Sequence, residues 1–162
     1  MKTVLLIIGL LVAVALPEHA RAATENISIT LAPDIVLHME KDEFLPEKHK
    51  IQTCKVLDWP QQPPCLIDGR PIFGTDWTTP TTTFTRAWLD VRGVTVDLDV
   101  SSLYNPWIGS KPTPSLFRLT NVEGGYLLRG HFSDGAGSYT VEWLIIQGVS
   151  VRTLVSEHDE NN

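Results

Sequence analysis

The chain is poor in the residues and spacings that most chemistry requires. Two cysteines in 162 residues are too few for a disulfide scaffold or a four-thiolate zinc site, and no two histidines stand four apart as in a zinc protease. There is no nucleophile elbow, no phosphate-binding glycine loop with its lysine, and no dinucleotide fingerprint. The glycine-rich stretch Asp134-Gly135-Ala136-Gly137 precedes a strand pattern rather than a helix, so it reads as a hairpin turn and offers no helix N-terminus to an anion. No cofactor is expected. Charge is also scarce, at 20% of residues, and 13 basic side chains face 19 acidic ones for a net charge of −6. Without a Lys/Arg cluster, this balance argues against nucleic acid and anionic membrane surfaces as partners and suits a partner with a basic surface.

The long apolar run, Val4 to Leu16, follows Lys2 and ends at Pro17, before the small-x-small sequence Ala20-Arg21-Ala22. It is shorter than the roughly 20 residues a membrane span needs, so residues 1–22 are expected to be a cleaved secretory leader. The first cysteine lies far beyond that point, against a lipoprotein anchor. Processing would remove Lys2, Arg21 and Glu18 and shift the charge from −6 to −7. The expected product is exported, periplasmic or secreted, with no membrane span after processing. In an oxidising compartment Cys54 and Cys65 have one possible pairing, and closing that loop stabilises the fold by about 3 kcal/mol in the chain-entropy model.

From Glu25 onward the dominant period is two, the signature of half-buried strands. Ile27, Ile29 and Leu31 form one alternating set, and Ile35, Leu37 and Met39 another that gives way to the charged segment Glu40–Lys50, where Pro46 opposes a long helix. Asp68-Gly69 and Arg92-Gly93 are hairpin signals. Thr83–Val91 and Val94–Val100 read as a strand pair, with Val94, Val96, Leu98 and Val100 inward and Asp97 and Asp99 outward. Four further strands follow, Leu116–Thr120, Tyr126–Ser133, Tyr139–Gln147 and Val149–Ser156. The expectation is a single all-β domain over residues 23–156, an antiparallel sandwich or up-and-down barrel of about eight short strands with little or no helix, and a polar flexible tail at 157–162.

Three groups of residues carry functional hypotheses. Asp97 and Asp99, with Asp90 on the partner strand, are a possible carboxylate pair for glycoside hydrolysis, although alternating acids on a sheet are ordinarily solvated. His38, Glu40, Asp42, Glu47 and His49 crowd together, yet match no tight metal motif, and no metal is expected. Trp59, Trp77 and Trp107, the last beside Tyr104, fall in proline-stiffened loops. Rigid loop aromatics lose little side-chain entropy on association and so serve as binding anchors. The combination points to a non-enzymatic exported protein that binds another protein, specifically an inhibitor or immunity-type protein occluding a toxic enzyme. A carbohydrate- or lipid-binding β-module and a hydrolase using the strand carboxylates are the alternatives.

Overall fold

The computed structural model describes residues 24–56, 60–132 and 135–156. The predicted leader, Trp59, Asp134 and the tail lie outside the described residues. Eleven strands are present among them, in three antiparallel sheets. The first sheet has the order β1 (Glu25–Ala32), β2 (Ile35–Glu43), β6 (Thr82–Val91), β7 (Val94–Leu98). The second runs β11 (Val149–Ser156), β10 (Tyr139–Ile146), β9 (Gly125–Phe132), β8 (Phe117–Val122). A small third sheet holds β3 (Ile51–Thr53), β4 (Pro64–Ile67) and β5 (Arg70–Pro71). The two four-stranded sheets account for the eight expected strands, and the sequence reading had compressed the third into a single hairpin.

Alternation explains how the two large sheets face each other. Leu37 and Met39 on β2, Leu89 on β6 and Val96 on β7 point inward, and so do Leu128 on β9 and Val141, Trp143 and Ile145 on β10, all within one buried cluster. Burying each such side chain stabilises the fold by about 1.5–3 kcal/mol. The core is therefore a sandwich filling. Trp143 brings a polar group into it, and its Nε1 donates to the Asp99 carbonyl at 2.9 Å, which removes the penalty of an unpaired N–H. At one edge β7 lies beside β11, where the Ser150 hydroxyl donates to the Asp97 carbonyl and Arg152 donates to the Ser101 carbonyl.

Several strand bounds depart from the sequence reading, among them that of β8, which begins after the 3-10 turn Pro114–Leu116 and runs to Val122. β2 runs on to Glu43, past the point where charge sets in, because the Lys41 ammonium pairs with Glu25 at 2.6 Å and the strand stays paired with Thr82 and Thr83 beyond a register shift. A bulge at Thr85 of β6 resets the alternation there, so Phe84 and Ala87 both face inward although three residues apart. Pro46–Lys48 is a single 3-10 turn. β7 stops at Leu98, since the Asp99 carboxylate accepts the Ser101 amide at 2.9 Å and turns the chain out of the sheet. Val94 is also outside the core, 56% exposed on a hollow of about 320 Å³ that it lines with Gly124, Tyr126 and Gly148.

The connections sort onto two ends. Pro33-Asp34, Arg92-Gly93, Glu123-Gly124 and Gln147-Gly148 make tight turns at one end, which we call the hairpin end. The described residues of the long connections, 44–56, 60–81, 99–116 and 135–138, gather at the other, the loop end.

Candidate functional site

The loop end carries the two cysteines and the described loop aromatics singled out from the sequence, Trp77, Tyr104 and Trp107. Cys54 and Cys65 form a disulfide across the third sheet, with Cα atoms 5.7 Å apart. Below it, Thr75 to Thr78 make a turn closed by the Thr78 amide and hydroxyl, each donating to the Thr75 carbonyl at 2.8 Å. The two central residues, Asp76 and Trp77, have φ of +42° and +60°. Left-handed backbone is costly for a bulky residue, of order 1–3 kcal/mol where the surroundings enforce it, and here it places a ring in water. Trp77 is 55% exposed. It borders a hollow of about 170 Å³ shared with Pro64, Cys65, Pro71 and Ile72.

Trp107 is presented differently. Pro106 before it and Ile108 after it are both buried, so the chain is pinned inward on either side and the Trp107 ring is left 52% exposed. The two tryptophan loops are stitched together. Phe73 donates its amide to the Ser102 carbonyl at 3.2 Å, and Tyr104 donates back to the Phe73 carbonyl at 3.1 Å. The Asn105 side-chain oxygen accepts the Thr81 amide at 2.9 Å, the Thr82 amide at 3.2 Å and the Thr81 hydroxyl at 3.2 Å, while the Asn105 amide donates to the Thr82 carbonyl at 2.9 Å. Asn105 itself sits at φ +42°, where asparagine is among the more tolerated residues. The organising role of Asn105 escaped the sequence reading, although an asparagine before proline is a turn signal.

Tyr104 is not a surface anchor. It is buried against Phe44, ring edge to ring face at 5.3 Å, and forms a small second core with Phe44 and Ile67. Burial, then the negative charge of Asp68, raises the pKa of its phenol, which therefore stays neutral. Beside it opens a cleft of about 620 Å³ lined by His49, Asp68, Arg70, Ser101 and Ser102 among others. There the His49 Nδ1 lies 2.7 Å from Asp68 Oδ2, and the imidazole stacks on Phe44 at 4.6 Å. The other Asp68 oxygen accepts the Lys50 amide at 2.8 Å. The hydrogen bond from His49, then that from Lys50, hold the Asp68 carboxyl below its ordinary value. An Asp–His pair can orient a general base, but here it ties the 3-10 turn to the β4–β5 hairpin, and neither Ser101 nor Ser102 is hydrogen-bonded to the imidazole. Residues 49 and 68 are brought together by the third sheet, and no local spacing signals it.

The remaining candidates are dispersed. His38 stacks on Trp88 at 4.9 Å, lies 2.9 Å from the Ser28 hydroxyl and pairs with Asp90 at 3.2 Å on the outer face of the first sheet. Asp42 is buried, and His49 lies on the loop end. Among the described residues no three His, Cys, Asp or Glu side chains gather as a metal ion would need. Asp97 pairs with Arg86 at 2.9 Å, whose guanidinium also lies over Trp88. Partial burial pushes the Asp99 carboxyl up, but the Ser101 hydroxyl and amide and then Arg152 outweigh it, leaving Asp99 lowered, opposite to what a general acid needs. Among the described residues no helix is long and apolar enough to cross a membrane. Comparison of the chain with protein-family models, with curated proteins and with solved structures finds no match.

Proposed function

We propose that the chain is an exported, non-enzymatic binding protein of the inhibitor or immunity type, which covers the active site of a toxic enzyme with its loop end. The observation that carries this reading is Trp77, held more than half exposed at φ +60°. A tryptophan is a poor choice for a left-handed position on stability grounds, and strained residues gather where function uses them. Trp107 supplies a second exposed ring on the same stitched loops, and two rigid aromatic anchors are the kind of hot spot that dominates protein interfaces. The chain's net charge of −6 suits a target whose active-site rim is basic and would speed encounter. Export is supported by the Cys54–Cys65 bond.

The test separates anchor from structural residue. A photoreactive residue placed at position 107 should cross-link one dominant protein in the native envelope. Against that protein, Trp77→Gly and Trp107→Ala should each lose about thirtyfold in affinity, roughly 2 kcal/mol. Trp77→Gly should meanwhile melt no lower than the parent, because glycine relieves the left-handed strain. Unchanged affinity in both variants would refute the loop-anchor mechanism. The hollow beside Trp77 favours a second reading, a small carbohydrate- or lipid-binding module, and glycan-array or lipid binding lost in Trp77→Gly would support that instead.

A further inference from the structure

The hollows of the surface differ in the charge of their walls, and charge decides what each can hold. The one at the hairpin end, beside Val94 and Tyr126, has no charged residue among its described lining. The one along β8 and β9 is basic, through Arg118 and Arg129. The cleft beside Tyr104 mixes signs, since Asp42 and Asp68 line it together with Lys48 and Arg70, and it favours neither cation nor anion. The hollow beside Trp77 differs from all three. Its walls include Pro64, Cys65, Pro71 and Ile72, and Asp76 is the one charged residue among its described lining. Asp76 is exposed, and among the described residues its carboxylate is in no ion pair and accepts no hydrogen bond. Proline rings and the Cys54–Cys65 bond stiffen the walls, so the hollow is formed before anything enters it.

We propose that this hollow is a socket for one basic side chain of the partner protein, an inference that rests on the loop-anchor reading above and names the group that the loop end recognises. Charge complementarity selects the occupant. A long basic side chain lays its methylene stem along apolar walls and keeps its cationic head at the wet rim. There the Asp76 carboxylate attracts the head, and the Trp77 indole adds a cation–π contact that strengthens as water is excluded. A neutral apolar side chain would fill the walls but leave the carboxylate without a partner as the interface closed, and an acidic one would meet like charge. Size agrees with a single side chain. At ~30 Å³ per water, a hollow of about 170 Å³ holds about six waters, too little for a segment of folded backbone. The left-handed pair Asp76 and Trp77 presents carboxylate and ring from one turn, and the chain's charge of −6 draws a cation toward them from a distance.

Titration of the disulfide-bonded protein with N-acetylarginine methylamide, followed by heteronuclear NMR, should shift the Trp77 indole N–H and the Thr75 and Ile72 amides with a millimolar Kd. The norleucine analogue should bind about threefold more weakly or worse, the size of one exposed ion pair. Asp76→Asn removes the charge with a residue that tolerates left-handed backbone, so it should keep the parent's melting temperature and bring the arginine analogue down to the norleucine level. Half-molar sodium chloride should weaken the arginine analogue for the parent and not for Asp76→Asn. Against the protein cross-linked at position 107, Asp76→Asn should lose about tenfold in affinity, because the pair is desolvated there. An arginine analogue that binds no better than norleucine, or an affinity for the cross-linked protein that Asp76→Asn leaves unchanged while Trp77→Gly lowers it, would overturn the socket and leave the loop-anchor reading standing. Unchanged affinity in both tryptophan variants would overturn the two together.

Discussion

The hairpin end and the loop end solve the same problem, reversing strand direction, with opposite means. At the hairpin end the reversal is local. Arg92-Gly93 and Gln147-Gly148 each place two successive residues at positive φ, the arrangement whose twist matches a two-residue hairpin, and the long-range backbone bond made by these two turns runs to a neighbouring turn, from the Arg92 amide to the Asp34 carbonyl at 2.8 Å. At the loop end the chain travels far between strands, and its shape is enforced from a distance by the disulfide, by Asn105 and by the bridges Phe73↔Leu103 and Thr83↔Tyr104. Self-contained turns tolerate change, whereas remotely enforced loops can hold strained and exposed side chains in place. The candidate site therefore lies where long-range contacts are dense and not where the turns are simplest.

Glycine substitutions give the largest contrast. Gly74 at the loop end has φ +86°, and a methyl group there would overlap the Tyr104 carbonyl and press on the Tyr139 ring. Gly93 at the hairpin end has φ +83° but open space around it. Gly93→Ala should cost about 1–2 kcal/mol, the backbone term alone. Gly74→Ala adds overpacking and should cost about 3 kcal/mol or more. Urea denaturation of the two variants checks this, and equal losses would mean that the loop end yields as freely as the hairpin end.

Removing the disulfide is next in size. Cys54→Ala with Cys65→Ala should lower stability by about 3 kcal/mol, read as a shift in the urea midpoint. The loss should be local as well as global. Hydrogen exchange in the double variant is expected to quicken first in β3 to β5, with protection around Arg92-Gly93 surviving longest.

Legibility in the sequence followed locality at both ends. Asp68-Gly69, Arg92-Gly93 and the pattern of Val96 and Leu98 carry their structure in adjacent residues, so turns and inward faces could be read directly. What could not be read depends on residues distant in the chain. β2 extends to Glu43 because β6 lies alongside, and Val94 is exposed because it borders a hollow at the hairpin end, shared with Tyr126 and Gly148, instead of joining the core. Tyr104 looked like part of an aromatic loop surface, and its burial depends on Phe44 sixty residues earlier. The outward apolar rows of β9 to β11 were hidden too, since an apolar residue at every position of Leu144-Ile145-Ile146 erases the alternation that would have told inside from outside.

Asn105→Ala should cost about 2 kcal/mol, smaller than the disulfide, because it strands the Thr81 and Thr82 amides and imposes φ +42° on alanine. Asn105→Gly keeps the backbone geometry and loses only the side-chain bonds, so it should fall between the parent and the alanine variant. If the two variants melt together, the side-chain oxygen is what matters and the left-handed backbone costs nothing measurable.

The smallest expected effect is acid sensitivity, and it belongs to the loop end. Asp68 is held below its ordinary value of 3.8, first by the hydrogen bond from His49 and then by the Lys50 amide, and Asp99 is lowered as well. A carboxyl whose folded pKa is depressed contributes stability that is complete above the unfolded value and is lost as pH falls through the folded one. Between pH 5 and 8 neither group should alter stability. Below about pH 4 the contribution of both should fade, and because both anchor loop-end turns, amide exchange there should quicken before it does at the hairpin end. Asp68→Asn keeps an oxygen for the Lys50 amide but cannot titrate, so its loop-end exchange should depend less on pH in that range than the parent's. Carbon-detected NMR titration of Asp68 checks the premise directly, and a midpoint at or above 3.8 would show that His49 and Lys50 do not hold the carboxylate as the geometry implies.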